Sequence, residues 1–385
     1  MFARRYTWFV ASTVTAFLLM ALALVLWVKF GPEYEACSPD YFDFGTLDAG
    51  STRECSARFL TIDQKGMLER MGERIANWCP KTWEPALRRW TAGPKRTDFP
   101  KLDLSTLKPT ASAPDFVQVK SVTPQQNKYW YNGRSYVSVL LKLNTSRPGS
   151  YAGKVKVTLG RRESSLPIRF RVREAAGGKR VLVTASPYQE FATENGADFD
   201  TVTRVLSSVG VAVDCTDELP ATLESYRTIL LGDSALSRIQ PEDVARVRAF
   251  VEQGGRLILP CDAFFQGTIP KANEILAGHG LMVLTNGMNG THHATNIISD
   301  ALTRGVVRLE FFRPSSIVVT DAAKGKVLAL DPGGAGGFVA VMRVPGGGEI
   351  TVITASLWWN WVGQFTDNPD NARLLQNVLS PKTRD

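Results

Sequence analysis

"GGRLILPCDAFF", residues 254–265, decides how the second half of the chain is read. Two glycines turn the backbone out of a helical pattern. "RLILP" follows as an unbroken apolar run, the kind expected of a strand covered on both faces. Cys261 stands where that strand stops. In an open α/β sheet, ligands bind beyond the carboxyl ends of the strands. A cysteine at such an end is either a nucleophile or a small apolar residue filling space. The neighbouring segments repeat the pattern: "RVLVTAS" (180–186), "VAVDC" (211–215) and "YRTILLGD" (226–233) also read as buried strands. "DFDTVTRVLSSVG" (198–210) reads as a helix capped by Asp198 and ended by Gly210, and "QPEDVARVRAFVEQGG" (240–255) as one opened by Pro241 and ended by Gly254. Such alternation predicts an α/β, doubly wound, mostly parallel sheet over 179–380. "FVAVMRVPGGGEITVITAS" (338–356) adds a C-terminal antiparallel hairpin. Its glycines, and those of "DPGGAGGF", precede no helix start, so neither is a phosphate-binding loop.

Toward the N-terminus the period changes to two. "YFDFGTLDAGSTRECSARFL" (41–60) places Phe42 and Phe44 on one side of a strand, with turns at Gly45 and Gly50. Tyr136–Leu143, Tyr151–Leu159 and Leu166–Val172 are three further alternating runs, separated by "RPGSYAG" and "GRRESS". Residues 37–175 are therefore expected to form a β-sandwich, and "REAAGGKR" (173–180) a linker to the second unit. Within the sandwich, 66–109 reads as a helix followed by a Pro-rich excursion, a basic insertion whose Trp78, Trp83 and Trp90 are expected to cover the sandwich.

Thr7 to Val28 contains no charged residue, and Trp8 and Trp27 lie near its ends. At about 1.5 Å per residue such a run spans a hydrocarbon core of about 30 Å. Arg4 and Arg5 ahead of it favour a cytoplasmic N-terminus. The run is too long, and "EYEAC" too poor a cleavage site, for a removable signal peptide. Residues 1–30 are thus expected to be a cytoplasmic tip and an uncleaved signal-anchor. That makes the chain a single-pass membrane protein with its main body outside the cytoplasm, in a bacterial periplasm or at the cell surface.

The 385 residues carry a net charge of +8, unevenly distributed. Residues 37–180 hold 26 Lys and Arg against 13 Asp and Glu, while 181–385 hold 16 against 22. The basic half suits acidic polymers or anionic lipid heads, or is simply a solvated surface. No nucleic-acid recognition motif accompanies it. The five cysteines are Cys37, Cys55, Cys79, Cys215 and Cys261. Cys37–Cys55 and Cys55–Cys79 both remain open as disulfides. Cys215–Cys261 is disfavoured by the strand order 2-1-3-4, which sets the two strand ends about 14 Å apart. No metal-binding spacing is present, and no cofactor is expected.

"FDFGTLDAG" together with "PGSYAGKVKV" and "LPIRFRV" resembles the immunoglobulin-like modules of the ciliary and centrosomal type, in which a Phe-Gly pair opens the first strand and a Pro-Gly-x-Tyr-x-Gly turn precedes a late hairpin. The strand ending in "LLGD", the helix "PEDVARVRAFVEQGG", the strand directly after the double glycine, and the closing "DNARLLQNVL" resemble the class I glutamine-amidotransferase-like (flavodoxin-like) superfamily, in a non-catalytic branch. In catalytic members a nucleophilic cysteine occupies a strand end such as that of Cys261.

The residues around Cys261 do not complete that chemistry. A nucleophile elbow needs small flanking residues, and Leu259 is bulky. The next N–H belongs to Asp262, whose carboxylate would oppose an oxyanion and a thiolate. "ITASLWWNW" lacks the His-x-acid pair that the resemblance leads one to expect. His279, His292 and His293 are the only histidines, and of these His292 and His293, in "NGTHHATN", are the candidate bases. Trp358, Trp359 and Trp361, with Asp233 and Asp262, mark the strand-end edge as a candidate binding surface for a protein or glycan. The expected function is a membrane-anchored extracytoplasmic binding or scaffold protein with a catalytically degenerate domain, acting on a protein or glycan of the cell envelope. The alternatives are a cysteine-dependent hydrolase or amidase using Cys261 with His292 or His293, and an accessory subunit of an envelope transport or assembly complex.

Overall fold

The computed structural model describes residues 41–62, 108–126, 135–159, 162–175, 177–178, 180–184, 205–261, 267–333, 336–354 and 368–380, together with Thr15 and 19–22. Eighteen strands are named within them. The first group is β1 (Phe42–Asp48), β2 (Arg53–Ile62), β3 (Thr110–Ser112), β4 (Val117–Gln126), β5 (Ser135–Leu143), β6 (Gly149–Leu159) and β7 (Arg162–Arg173). The middle group is β8 (Arg180–Thr184), β9 (Val213–Thr216), β10 (Tyr226–Leu231), α1 (Asp233–Arg238), α2 (Pro241–Glu252), β11 (Arg256–Pro260) and α3 (Thr268–Leu276). The last is β12 (Leu281–Val283), β13 (Thr291–Ala294), β14 (Leu309–Phe312), β15 (Ile317–Val319), β16 (Gly325–Leu330), β17 (Gly337–Arg343), β18 (Glu349–Ile353) and α4 (Pro369–Leu379).

The alternation that marks the first group in the sequence is what the sheets use. On β7, Leu166, Ile168, Phe170 and Val172 are buried while Ser165, Arg169, Arg171 and Arg173 are exposed. β7 lies between β1, parallel to it, and β6, antiparallel to it, in a four-stranded sheet of order β1-β7-β6-β3. Its inner face carries aromatic contacts: the Phe42 and Phe44 ring centroids are 5.1 Å apart, and Tyr151 stacks on Phe170 at 4.9 Å. That face shares one apolar core with Cys55, Ala57, Phe59, Val137, Val139 and Leu141 of β2 and β5.

β2 and β5 belong to a second, larger sheet, and here the fold expected from the sequence is corrected. Instead of a doubly wound parallel sheet standing alone, the chain forms a mixed twelve-stranded sheet of order β12-β15-β17-β18-β11-β10-β8-β9-β2-β5-β4, with β16 on β17. A parallel run, β9-β8-β10-β11-β18, lies within it. On one side it continues into antiparallel β17, β16, β15 and β12. On the other, β9 pairs with β2 through Arg53 and Cys215, so the N-terminal strands extend the same sheet. The physical reason is that burial does not name a neighbour. β11 is covered on both faces throughout, and an unbroken apolar run of that kind reports that both faces are covered, not which strands extend the sheet beyond it.

The sheet has two faces and two cores. Leu182, Ile229, Leu231, Leu257, Leu259, Ala340 and Val352 point to α1, α2 and α3. Val181, Val183, Leu230, Ile258, Val339 and Ile353 point the other way, toward α4 and Leu309, Phe311 and Phe338. The "PGGG" turn between β17 and β18 sits tightly on the end of α2. A Cβ on Gly348 would come within 1.9 Å of the Val251 carbonyl oxygen, and Gly346, at φ +95°, is equally confined by Glu252. These glycines allow close backbone approach.

The expected transmembrane signal-anchor is also corrected. Among the described residues no helix is long and apolar enough to cross a membrane. Thr15 and residues 19–22 are helical, and most of 7–28 lies outside the described residues. The single-pass localisation that rested on that helix is not retained. Cys37, Cys79, Trp78, Trp83, Trp90 and nearly all of 66–109 also lie outside the described residues.

Candidate functional site

The carboxyl ends of the parallel run gather Thr184, Leu231 with Gly232, Cys261, and Ile353 with Thr354. All of them are buried. Cys261 is held from two sides. Its N–H donates to the Ile353 carbonyl at 2.8 Å, extending the β11–β18 ladder by one step. Its Sγ lies 3.8 Å from the carbonyl oxygen of Leu259. The side chain is 0% exposed and belongs to the core on the α2 and α3 face, with Leu259, Ala272 and Ile275.

His292 and His293 are not brought to it. They lie on β13, which pairs with β14 in a separate two-stranded sheet. His293 Nδ1 faces Glu310 Oε2 at 3.5 Å, and His292 Nε2 is 3.0 Å from the Asn289 carbonyl oxygen. The His292 ring meets Phe338 edge-on at 6.3 Å. Phe338, Leu309 and Phe311 belong to the core on the α4 face. The twelve-stranded sheet therefore stands between these histidines and the Cys261 thiol. His279 is on the thiol's side of the sheet but at the far end of α3, whose length of about 14 Å carries the chain away from the strand end. Asp233 is the first residue of α1. Asp262, Trp358, Trp359 and Trp361 lie outside the described residues. A cleft of 760 Å³ opens at the opposite, amino-terminal ends of β10 and β11, between Leu223, Tyr226, Arg227 and Phe250.

A buried polar cluster at the β2–β9 seam lies outside the residues expected from the sequence to form a site. Asp214, 3% exposed, accepts the Thr52 N–H at 2.5 Å, the Tyr226 hydroxyl at 3.0 Å and the Arg180 guanidinium. Arg53 donates to the Cys215 Sγ, and Glu54 accepts from the Asp217 N–H at 3.1 Å and from Lys120 at 3.3 Å. Burial and the adjacent Asp214 carboxylate push the Tyr226 hydroxyl up to about 12, so it stays a proton donor. Burial raises the Cys215 thiol as well, against the opposing pull of Arg53. Burial also raises the Cys55 thiol, with Glu54 adding to it. A second buried pair, Arg256 and Glu349 at 3.2 Å, ties β11 to β18, and Arg256 also donates to the Ser380 and Val378 carbonyls at the end of α4. The signal for both clusters was present as charge inside apolar strands: Asp214 in "VAVDC" and Arg256 in "RLILP".

Cys55, Cys215 and Cys261 are free thiols. Three strand steps separate β9 from β11. Among the described residues no group of three or more His, Cys, Asp or Glu side chains is placed to hold a metal ion. Among the described residues, the strand ends present buried side chains and one thiol packed in apolar surroundings.

No family model matches the chain, and no curated protein matches it. Among solved structures, a family 123 glycoside hydrolase from Clostridium perfringens, studied for glycolipid glycan hydrolysis, aligns at 10% identity with a TM-score of 0.15. The alignment covers 58% of this chain and 34% of that one, so the chain matches about a third of the hydrolase's length, and at that score the likeness carries no argument about fold or activity.

Proposed function

We propose that the chain is a non-catalytic binding or scaffold protein that recognises a protein or glycan. The observation that supports this most is the placement of Cys261. The strand-end thiol, Cys261, is fully buried in an apolar core, across the sheet from His292 and His293. A thiol becomes a useful nucleophile when it is accessible and its thiolate is stabilised by a neighbouring base or cation.

Labelling of the folded protein with a thiol-reactive probe tests the reading. Cys261 is expected to react slowly near neutral pH, at a rate unchanged in H292A and H293A variants. C261A is expected to keep its fold, losing about 1–3 kcal/mol as a packed side chain is trimmed. Rapid, selective labelling of Cys261 that disappears in either histidine variant would defeat the proposal.

A further inference from the structure

The outer face of the sheet β1-β7-β6-β3 carries a regular row of cations. Lys154 and Lys156 are exposed on β6, and Arg169, Arg171 and Arg173 are exposed on β7. Cross-strand register orders them along the strand axis. Lys156 stands opposite Ser165 and Lys154 opposite Pro167, so the next outward positions on β7 are Arg169, Arg171 and Arg173. Five cations thus occupy five successive outward levels, the row crossing from β6 to β7 partway. Outward residues on one strand recur every ~6.7 Å, which gives a ladder about 27 Å long.

The surface between the cations is low. Ser150, Ala152, Ser165 and Pro167 fill the intervening outward positions, all of them exposed. Three of the cations are held by carboxylates: Arg169 by Asp43 at 2.7 Å, Arg173 by Asp48 at 2.9 Å, and Lys156 by Glu163 at 3.0 Å. The second and fourth rungs, Lys154 and Arg171, have no ion pair among the described residues. The Lys156–Glu163 and Arg169–Asp43 pairs lie at the surface, where such pairs are worth only about 0–1 kcal/mol, so a multivalent anion competes with them at small cost; Arg173 stays tied to the buried Asp48 and offers its remaining N–H groups.

We propose that this ladder binds a linear acidic polysaccharide, its carboxylate or sulfate groups engaging the five cations in series. The inference rests on the binding-protein reading above and supplies its ligand class. A single-stranded nucleic acid is the competing linear polyanion, but its sequence-tolerant binding draws on aromatic stacking platforms. The aromatics of these two strands, Tyr151 and Phe170, are turned inward and stacked on each other. A flat sheet face also fails to enter the major groove of a duplex, which admits a helix or a two-stranded ribbon.

Binding of the full chain to labelled polygalacturonate and heparin oligosaccharides, over a range of salt, tests the inference. Neutral dextran and a single-stranded DNA of equal charge serve as comparisons. One or both acidic glycans should bind, with affinity falling steeply as salt rises, and dextran should not. The K154Q/R171Q double variant removes the two unpaired rungs and leaves every ion pair intact. It should weaken binding by roughly ten-fold and reduce the salt slope by about 1.5, with an unchanged circular dichroism spectrum. K120Q, on the other sheet, should bind as the parent does. Unaltered affinity in the double variant, or DNA bound as tightly as the glycans, would overturn the proposal. These failures are separable from failure of the binding-protein reading, which is decided by the labelling rate of Cys261.

Discussion

His279 sits just past the end of α3, its N–H bonded to the Leu276 carbonyl oxygen and its Nε2 buried with no hydrogen-bond partner among the described residues. Burial lowers its pKa, the Arg248 guanidinium lowers it further, and Glu252 opposes them. The folded state therefore prefers the neutral ring more strongly than the unfolded chain does, where the ordinary value is about 6.5. Above that value both states hold a neutral ring and the residue contributes no pH dependence. As pH falls through it, the unfolded chain takes up the proton first and stability declines. Denaturant midpoints measured from pH 8 to pH 5 should fall on the acid side, with a shallower fall in H279Q. Equal slopes in the two proteins would contradict this account. Cys261 shows what one residue's sequence context reveals. Its position at a strand end was legible because the apolar run stops there. Its distance from His292 and His293 was not, since spacing along the chain carries no information about which face of a sheet a later hairpin covers.

Pairing between elements rests on residues that look out of place in their strands. Asp214 interrupts an apolar strand, and the structure shows why it is tolerated: β2, β8 and β10 each supply a donor, from Thr52, which immediately precedes β2, from Arg180 and from Tyr226. A buried carboxylate with three donors joins four strands more tightly than the single backbone pairing of β2 with β9 would do alone. Removing it leaves the partly buried Arg180 guanidinium with the Gly50 carbonyl alone and takes the carboxylate acceptor from the Tyr226 hydroxyl. D214A should cost about 3 kcal/mol in urea denaturation, while D214N, which keeps one acceptor oxygen, should cost less. A D214A loss within about 0.5 kcal/mol, the range of ordinary surface changes, would show that the seam is held by backbone pairing and apolar packing instead. The sequence displayed the charge plainly, but its partners lie as far as 162 residues away, beyond the reach of any local pattern.

At the scale of the molecule, one sheet runs from β4 to β12 through both compositional halves of the chain. Alternation from Phe42 to Val172 and the buried runs from Val181 to Ile353 made the individual strands legible, because period and burial are local properties. Their assembly into one mixed sheet was not legible, because β2 meets β9 through a pair that periodicity cannot name. The consequence concerns the segment between β7 and β8, where Gly177 and Gly178 are exposed and Gly178 adopts φ +105°. Limited proteolysis should cut there, since exposed glycine-bearing connections are preferred sites of nicking. The cut should not part the molecule. β2 remains paired with β9, Asp214 still accepts from Thr52, and Arg180 still donates to the Gly50 carbonyl at 3.1 Å. The nicked chain is expected to elute as one species in native gel filtration and to separate only in denaturant, with a single thermal transition before cleavage. Release under native conditions of a folded C-terminal fragment of about 200 residues, an ordinary size for an independent domain, would mean that the seam is weaker than its buried charges imply.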